Sequence, residues 1–128
     1  MKNIKPTGEL VLQTLAMPAD TNANGDIFGG WLVSQMDLGA GILAKHVSKS
    51  RTVTVAINSL TFRLPVQIGD IVSCYADLVK IGTTSITIKM EVWRISHDTE
   101  DQALVSDGIF TFVAVDENGK PQTVKRKN

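Results

Sequence analysis

Residues 30–47, GWLVSQMDLGAGILAKHV, decide how the chain folds. Apolar residues recur at Val33, Met36, Ala40 and Leu43, the three-and-four spacing of a helix, and a second set at Leu32, Ile42 and Val47 widens the stripe. A helix this apolar is expected to be wrapped by other structure. The rest of the chain offers strands: one over 9–16, then 52–63, 70–81, 83–95 and 103–115. Turn signals separate them, PVQIG at 65–69, Gly82, SHDTED at 96–101 and ENG at 117–119. One long central helix and a curved antiparallel sheet of about five or six strands predict an α+β fold. Long edge strands are commonly covered by a second copy of the chain, so an oligomer is expected.

Length and charge narrow the function. The 128 residues suit one domain, 1–128, with short flexible tails near 1–8 and 120–128. Thirteen basic and thirteen acidic residues cancel, and no basic stripe carries interleaved aromatics, which speaks against nucleic acid as a partner. Cys74, the single cysteine, lies inside DIVSCYADLV and reads as a small buried strand residue. The first ten residues lack the apolar stretch of a signal peptide, and the most apolar segment, 27–47, is interrupted by Asp37, Lys45 and His46. No membrane association and a cytoplasmic location are expected.

The stretch before the helix, DTNANGDIFGGW at 20–31, opens like a calcium loop, with Asp20, Asn22, Asn24 and Gly25 at the right positions. Its twelfth position is Trp31, which has no carboxylate to give, and the segment before it reads as strand, so the calcium reading is set aside. Gly29 and Gly30 mark the helix start, where free N–H groups and the helix dipole favour negative charge and can hold a developing oxyanion. Asp37 is the anomaly inside the helix: its own side is mostly small residues, Ser34, Ala40 and Gly41, which let a ligand or another chain come close. A carboxylate to activate water, an asparagine to orient it and an oxyanion site together suffice to hydrolyse an activated acyl group. Neither His46 nor His97 joins this cluster, so a Ser-His-Asp arrangement and a zinc site both lack support.

PADTNANGDIFGGWLVSQMDLGAGILAKH together with RTVTVAINSLTFRLPVQIGDIVSCYADLVKIGTTSITIKMEVW closely resembles the hotdog-fold acyl-CoA thioesterases of the bacterial YciA type. The resemblance runs from about residue 10 to residue 116 and keeps the asparagine-rich loop, the GDIFGG step and the helical MD in the family's order. It implies a hotdog fold, dimers that group into hexamers as trimers of dimers, and hydrolysis of acyl-CoA to free acid and CoA with no metal or redox cofactor. Carried over by position, the catalytic aspartate falls on Asp37, as general base or nucleophile. The catalytic asparagine falls on Asn22 of the opposite subunit, and the oxyanion donor on the backbone of Gly29 or Gly30. Asp26 and Asn24 support the loop. CoA is expected to cross a subunit interface with its nucleotide near Lys80, Gly82, Thr83, Thr84 and Ser85, aided by basic residues such as Arg126.

Two departures stand out: Asn58 lies where many relatives have an acidic residue, and the chain stops at Asn128 where relatives commonly continue. Hotdog dehydratases would need a loop histidine paired with a helical glutamate, which this helix lacks. A non-catalytic acyl-CoA-binding module is the alternative of a different class, but it would need neither Asp37 nor Asn22.

Overall fold

The computed structural model describes residues 5–124. In chain order they form β1 (Glu9–Leu15), a short 3₁₀ turn at Pro18–Asp20, α1 (Gly29–Ser48), β2 (Arg51–Phe62), β3 (Ile71–Ile81), β4 (Ser85–Ile95) and β5 (Gln102–Val115). The strands make one antiparallel sheet in the order β1-β3-β4-β5-β2. The sheet is not closed, and β1 and β2 are its edges. No helix among the described residues is long and apolar enough to cross a membrane.

Period-two alternation builds the buried face of the sheet. Along β4, Ile86, Ile88, Met90 and Val92 are all fully buried. Register then stacks them into rows: Ala76, Met90 and Gly108 lie side by side, and the next row holds Leu78, Ile88 and Phe110. Cys74 sits in the same face opposite Val92, and burial pushes its thiol up to about 12. On the other face, the buried Glu91 accepts hydrogen bonds from Trp93 Nε1 (2.9 Å) and from the N–H and hydroxyl of Thr7 (3.1 and 2.9 Å). Part of each expected tail is thus tied down, the first at Thr7 and the second where Val124 donates to the Thr83 carbonyl.

The helix crosses this face with Leu32, Met36, Gly39, Ala40, Leu43 and Ala44 turned inward. Gly39 is the point of closest approach. A Cβ there would lie 3.0 Å from Val11 Cγ2 and 3.3 Å from Met90 Cε, whereas one at Gly41 would meet only Phe112 at 3.8 Å. The sheet covers a single face: Leu38 and Ile42 stay 56% and 50% exposed, an apolar strip that a single chain leaves uncovered. The helix stops after Ser48 because Lys49 takes the left-handed conformation (φ 58°) and returns its N–H to the Lys45 carbonyl.

The two neighbouring glycines should therefore respond in opposite directions. Gly39→Leu is expected to destabilise the fold by about 1–3 kcal/mol through overpacking. Gly41→Ala should be neutral or stabilise by up to about 1 kcal/mol through helix propensity. Urea denaturation of the two variants checks this.

Candidate active site

The loop ahead of the helix is built by its own polar groups. Met17 and Asp20 cap the 3₁₀ turn reciprocally, with the Met17 N–H donating to Asp20 Oδ2 and the Asp20 N–H to the Met17 carbonyl. Thr21 and Ile27 then bridge as in a hairpin, and the Asn22 N–H donates to the Asp26 carbonyl at 2.7 Å. Inside this loop Asn22 Oδ1 accepts the N–H groups of Asn24 (2.9 Å) and Asp26 (3.2 Å), while Gly25 supplies the positive φ (86°) that lets the chain turn. The oxygen that a calcium ion would need is thus engaged by the backbone. The Asn22 side-chain NH₂ makes no bond among the described residues, so its donors are left for something outside the loop.

The helix start is equally uncompensated. Phe28 is its N-cap and makes no side-chain capping bond, and the first turn contains no acidic residue. The N–H groups of Gly29 and Gly30 have no intrahelical acceptor by the geometry of the α-helix. They carry the positive end of the dipole. Gly29 opens onto a cleft of about 400 Å³ whose lining includes Asn22, Asp26, Phe62, Arg63, Pro65 and Val66. The Phe62 ring lies against Gly29, where a Cβ would come within 3.1 Å of it. Arg63 on the cleft wall is held by both carboxylate oxygens of Asp107 at 3.1 Å.

Asp37 is elsewhere. It is half-buried on the flank of the helix, and its Oδ1 accepts a short 2.6 Å hydrogen bond from the Thr54 hydroxyl on the edge strand β2. Eight residues separate it from Gly29, about 12 Å along the axis at 1.5 Å per residue. Asp37 does not line the cleft of Asn22 and Gly29. One chain therefore brings Asn22, Asp26 and Gly29 together and leaves the carboxylate out of reach of them.

At the other end of the helix a wider cleft of about 610 Å³ is ringed by Lys45, His46, Lys49 and Arg51 beside Ile42. Arg51 pairs with Val115, and the Ala114 N–H donates to the Thr84 carbonyl, so this cleft and the turn at 82–85 share one end of the sheet. The turn is tight, the Gly82 N–H donating to the Ser85 carbonyl at 2.8 Å. Lys80 is exposed on β3 just before it. Arg126, with Lys125 and Lys127, lies outside the described residues.

Residues 24–100 match the thioesterase superfamily. The chain belongs to that superfamily. It is 57% identical over 120 residues to the acyl-CoA thioester hydrolase YciA of Salmonella typhimurium, covering 91% of this chain and 90% of the relative. The hexameric thioesterase y2039 from Yersinia pestis superimposes with a TM-score of 0.92 at 53% identity, over 96% of this chain and all of that one. An aspartate-to-alanine form of a hexameric broad-specificity acyl-coenzyme A thioesterase gives 0.91 at 52%, over 95% and 90%. The expected hotdog fold is thereby established for this member of the superfamily.

Several residues escaped the sequence reading. Thr54 looked like one more β-branched strand position, and only the placement of β2 beside the helix makes it the partner of Asp37. In sequence the wall from Phe62 to Val66 carries only the pattern of a strand end and the turn signal PVQIG. Three apolar residues in FRLPV beside a turn were the available clue.

Asn22→Ala removes the acceptor for two backbone donors. Hydrogen exchange at the Asn24 and Asp26 amides should speed up by about tenfold or more, while Asp37→Ala leaves both unchanged. Amide exchange followed by NMR checks it.

Proposed function

We propose that the protein hydrolyses acyl-CoA thioesters, and that each active site is assembled from two subunits. The observation that carries this reading is the separation of the parts: Asp37 stands about 12 Å along the helix from Gly29, outside the cleft that Asn22 shares with it. A reacting carbonyl carbon must come within roughly 3–3.5 Å of its attacking atom, so one chain's own set cannot serve it. A second chain, docked so that its Asn22 loop faces the first chain's Asp37 and Thr54, completes the set. The names of the relatives as acyl-CoA thioester hydrolases and the hexameric state of the solved ones support the reading. So do the exposed Leu38 and Ile42 beside Asp37 and the unpaired outer edge of β2, which a dimer would cover. A trimer of such dimers makes the hexamer.

In this site the thioester carbonyl oxygen rests on the N–H groups of Gly29 and Gly30, which strengthen their hold as it gains negative charge. Asp37, oriented by Thr54, takes a proton from water held by the Asn22 amide, and the hydroxide oxygen bonds to the carbonyl carbon. The carbon–sulfur bond then breaks, CoA leaves as a thiolate that collects the proton, and the acid remains. Direct attack by Asp37, giving an acyl-enzyme anhydride that water cleaves, uses the same residues. Neither route calls on a metal or redox cofactor. The acyl group enters the cleft walled by Phe62, Pro65 and Val66, with Asp26 and Asn24 shaping the loop. The nucleotide of CoA lies toward the turn formed by Gly82, Thr83, Thr84 and Ser85, its phosphates met by Lys80, Arg126 and the cations at the helix end. The reading places the enzyme in the cytoplasm, with its substrate.

Two measurements test this. Asp37→Asn should lower thiol release from acyl-CoA by roughly 10²–10⁴ while CoA still binds; full turnover in the folded variant overturns the role of Asp37. The second test is complementation. Asn22→Ala and Asp37→Ala chains, each nearly inactive alone, should recover roughly a quarter of wild-type activity when refolded together, because half of the dimers are mixed and each mixed dimer has one intact site. No recovery, with mixed dimers verified by mass spectrometry, would mean that the loop does not reach its neighbour's helix.

A further inference from the structure

A heavily bonded carboxylate outside the site is Asp70, at the turn between β2 and β3, which is 3% exposed. Its Oδ2 accepts the Gln67 N–H at 2.9 Å, and its Oδ1 accepts the His97 N–H at 3.0 Å and lies 2.8 Å from His97 Nδ1. The His97 ring covers Gly69, where a Cβ would lie 3.3 Å from that of the histidine. The braced turn also holds both roots of the Asn22 loop. On the N-terminal side the Ala16 N–H donates to the Asp70 carbonyl (3.0 Å) and the Gly69 N–H to the Ala16 carbonyl (2.9 Å). On the C-terminal side the Ile27 N–H donates to the carbonyl of Val66, itself part of the cleft wall. From 17 to 26 the loop has no comparable hydrogen bond to the sheet among the described residues.

We propose that Asp70 and His97 are positioning residues for the Asn22 loop, and that the charge on His97 sets how firmly that loop is held. The inference rests on the catalytic reading of Asn22 given above. Two carboxylates face the imidazole, Asp70 from the turn and Asp98 from the histidine's own turn at 3.2 Å from Nε2. Arg94 of β4 reaches the same turn and donates to the Pro65 carbonyl. The hydrogen bond to Asp70 raises the proton affinity of His97 above the ordinary 6.5, and the Asp98 charge adds to it. For Asp70, burial alone would raise the carboxyl, but the bonds from Gln67 and His97 outweigh it and leave the group below 3.8. The sign follows. A raised histidine contributes fully below about pH 6.5 and loses its contribution as pH rises through its higher folded value. Asp70 loses its contribution only in acid, so across neutrality His97 alone changes the brace.

The test compares the full-length wild type with His97→Asn, which keeps a donor toward Asp70 without a titrating charge, and with His97→Leu, which keeps neither. Protection factors at the Ile27 and Gln67 amides, and kcat and KM for one acyl-CoA, are measured from about pH 5.5 to 9. Wild-type protection should fall by roughly two- to fivefold as His97 loses its proton, the range expected of a partly exposed pair. It should be flat with pH in His97→Asn and low throughout in His97→Leu. The ratio of wild-type to His97→Asn kcat should decline over the same interval, with KM little changed. Protection that is the same in all three proteins overturns the proposal. Protection that shifts while the kcat ratio stays level upholds the brace and overturns the catalytic role of the Asn22 loop, so the two readings fail separately.

Discussion

At Gly39 the helix comes closer to the side chains of the sheet than a Cβ would comfortably allow, with Val11 and Met90 within 3.0 and 3.3 Å of where it would sit. That contact sets the position of α1 over the middle strands, and the rest of the architecture follows from it. The inward face of the helix is used up by the core, so Asp37 is left on the flank and Leu38 and Ile42 on the open side. The N-terminus of the helix opens between the Asn22 loop and the wall from Phe62 to Val66.

The helix thus offers two chemically different places. Its start is electropositive and has no carboxylate in the first turn to quench it. Its flank holds a carboxylate steadied by one threonine hydroxyl. About two helical turns separate the two places.

Much of this was legible in the chain. The strands and helix were placed to within about two residues, because unbroken runs of alternating β-branched residues and an unbroken apolar helix leave few alternatives. Asp37, Asn22, Gly29 and Gly30 stood out as polar or flexible residues in apolar company. What stayed hidden depended on contacts far apart in sequence. Gly39 and Gly41 look alike in GAG, and only the sheet distinguishes the one that is crowded. Thr54 gains its meaning from how β2 passes α1, 17 residues away in the chain from its partner. Asp70 and His97 are 27 residues apart, and no local pattern announces that two turns at one end of the sheet will meet.

The burial of Cys74 bears on the company this protein keeps. A thiol pushed up to about 12 is ionised in only about one molecule in 10⁵ at neutral pH, and it is the thiolate that attacks disulfides. With its sulfur in the sheet's inner face against the helix, the residue has no access to solvent either. A thioester hydrolase frees a thiol at every turnover, and Cys74 offers that thiol no accessible partner. Burial and a raised proton affinity together keep the protein's single sulfhydryl from acting as a nucleophile.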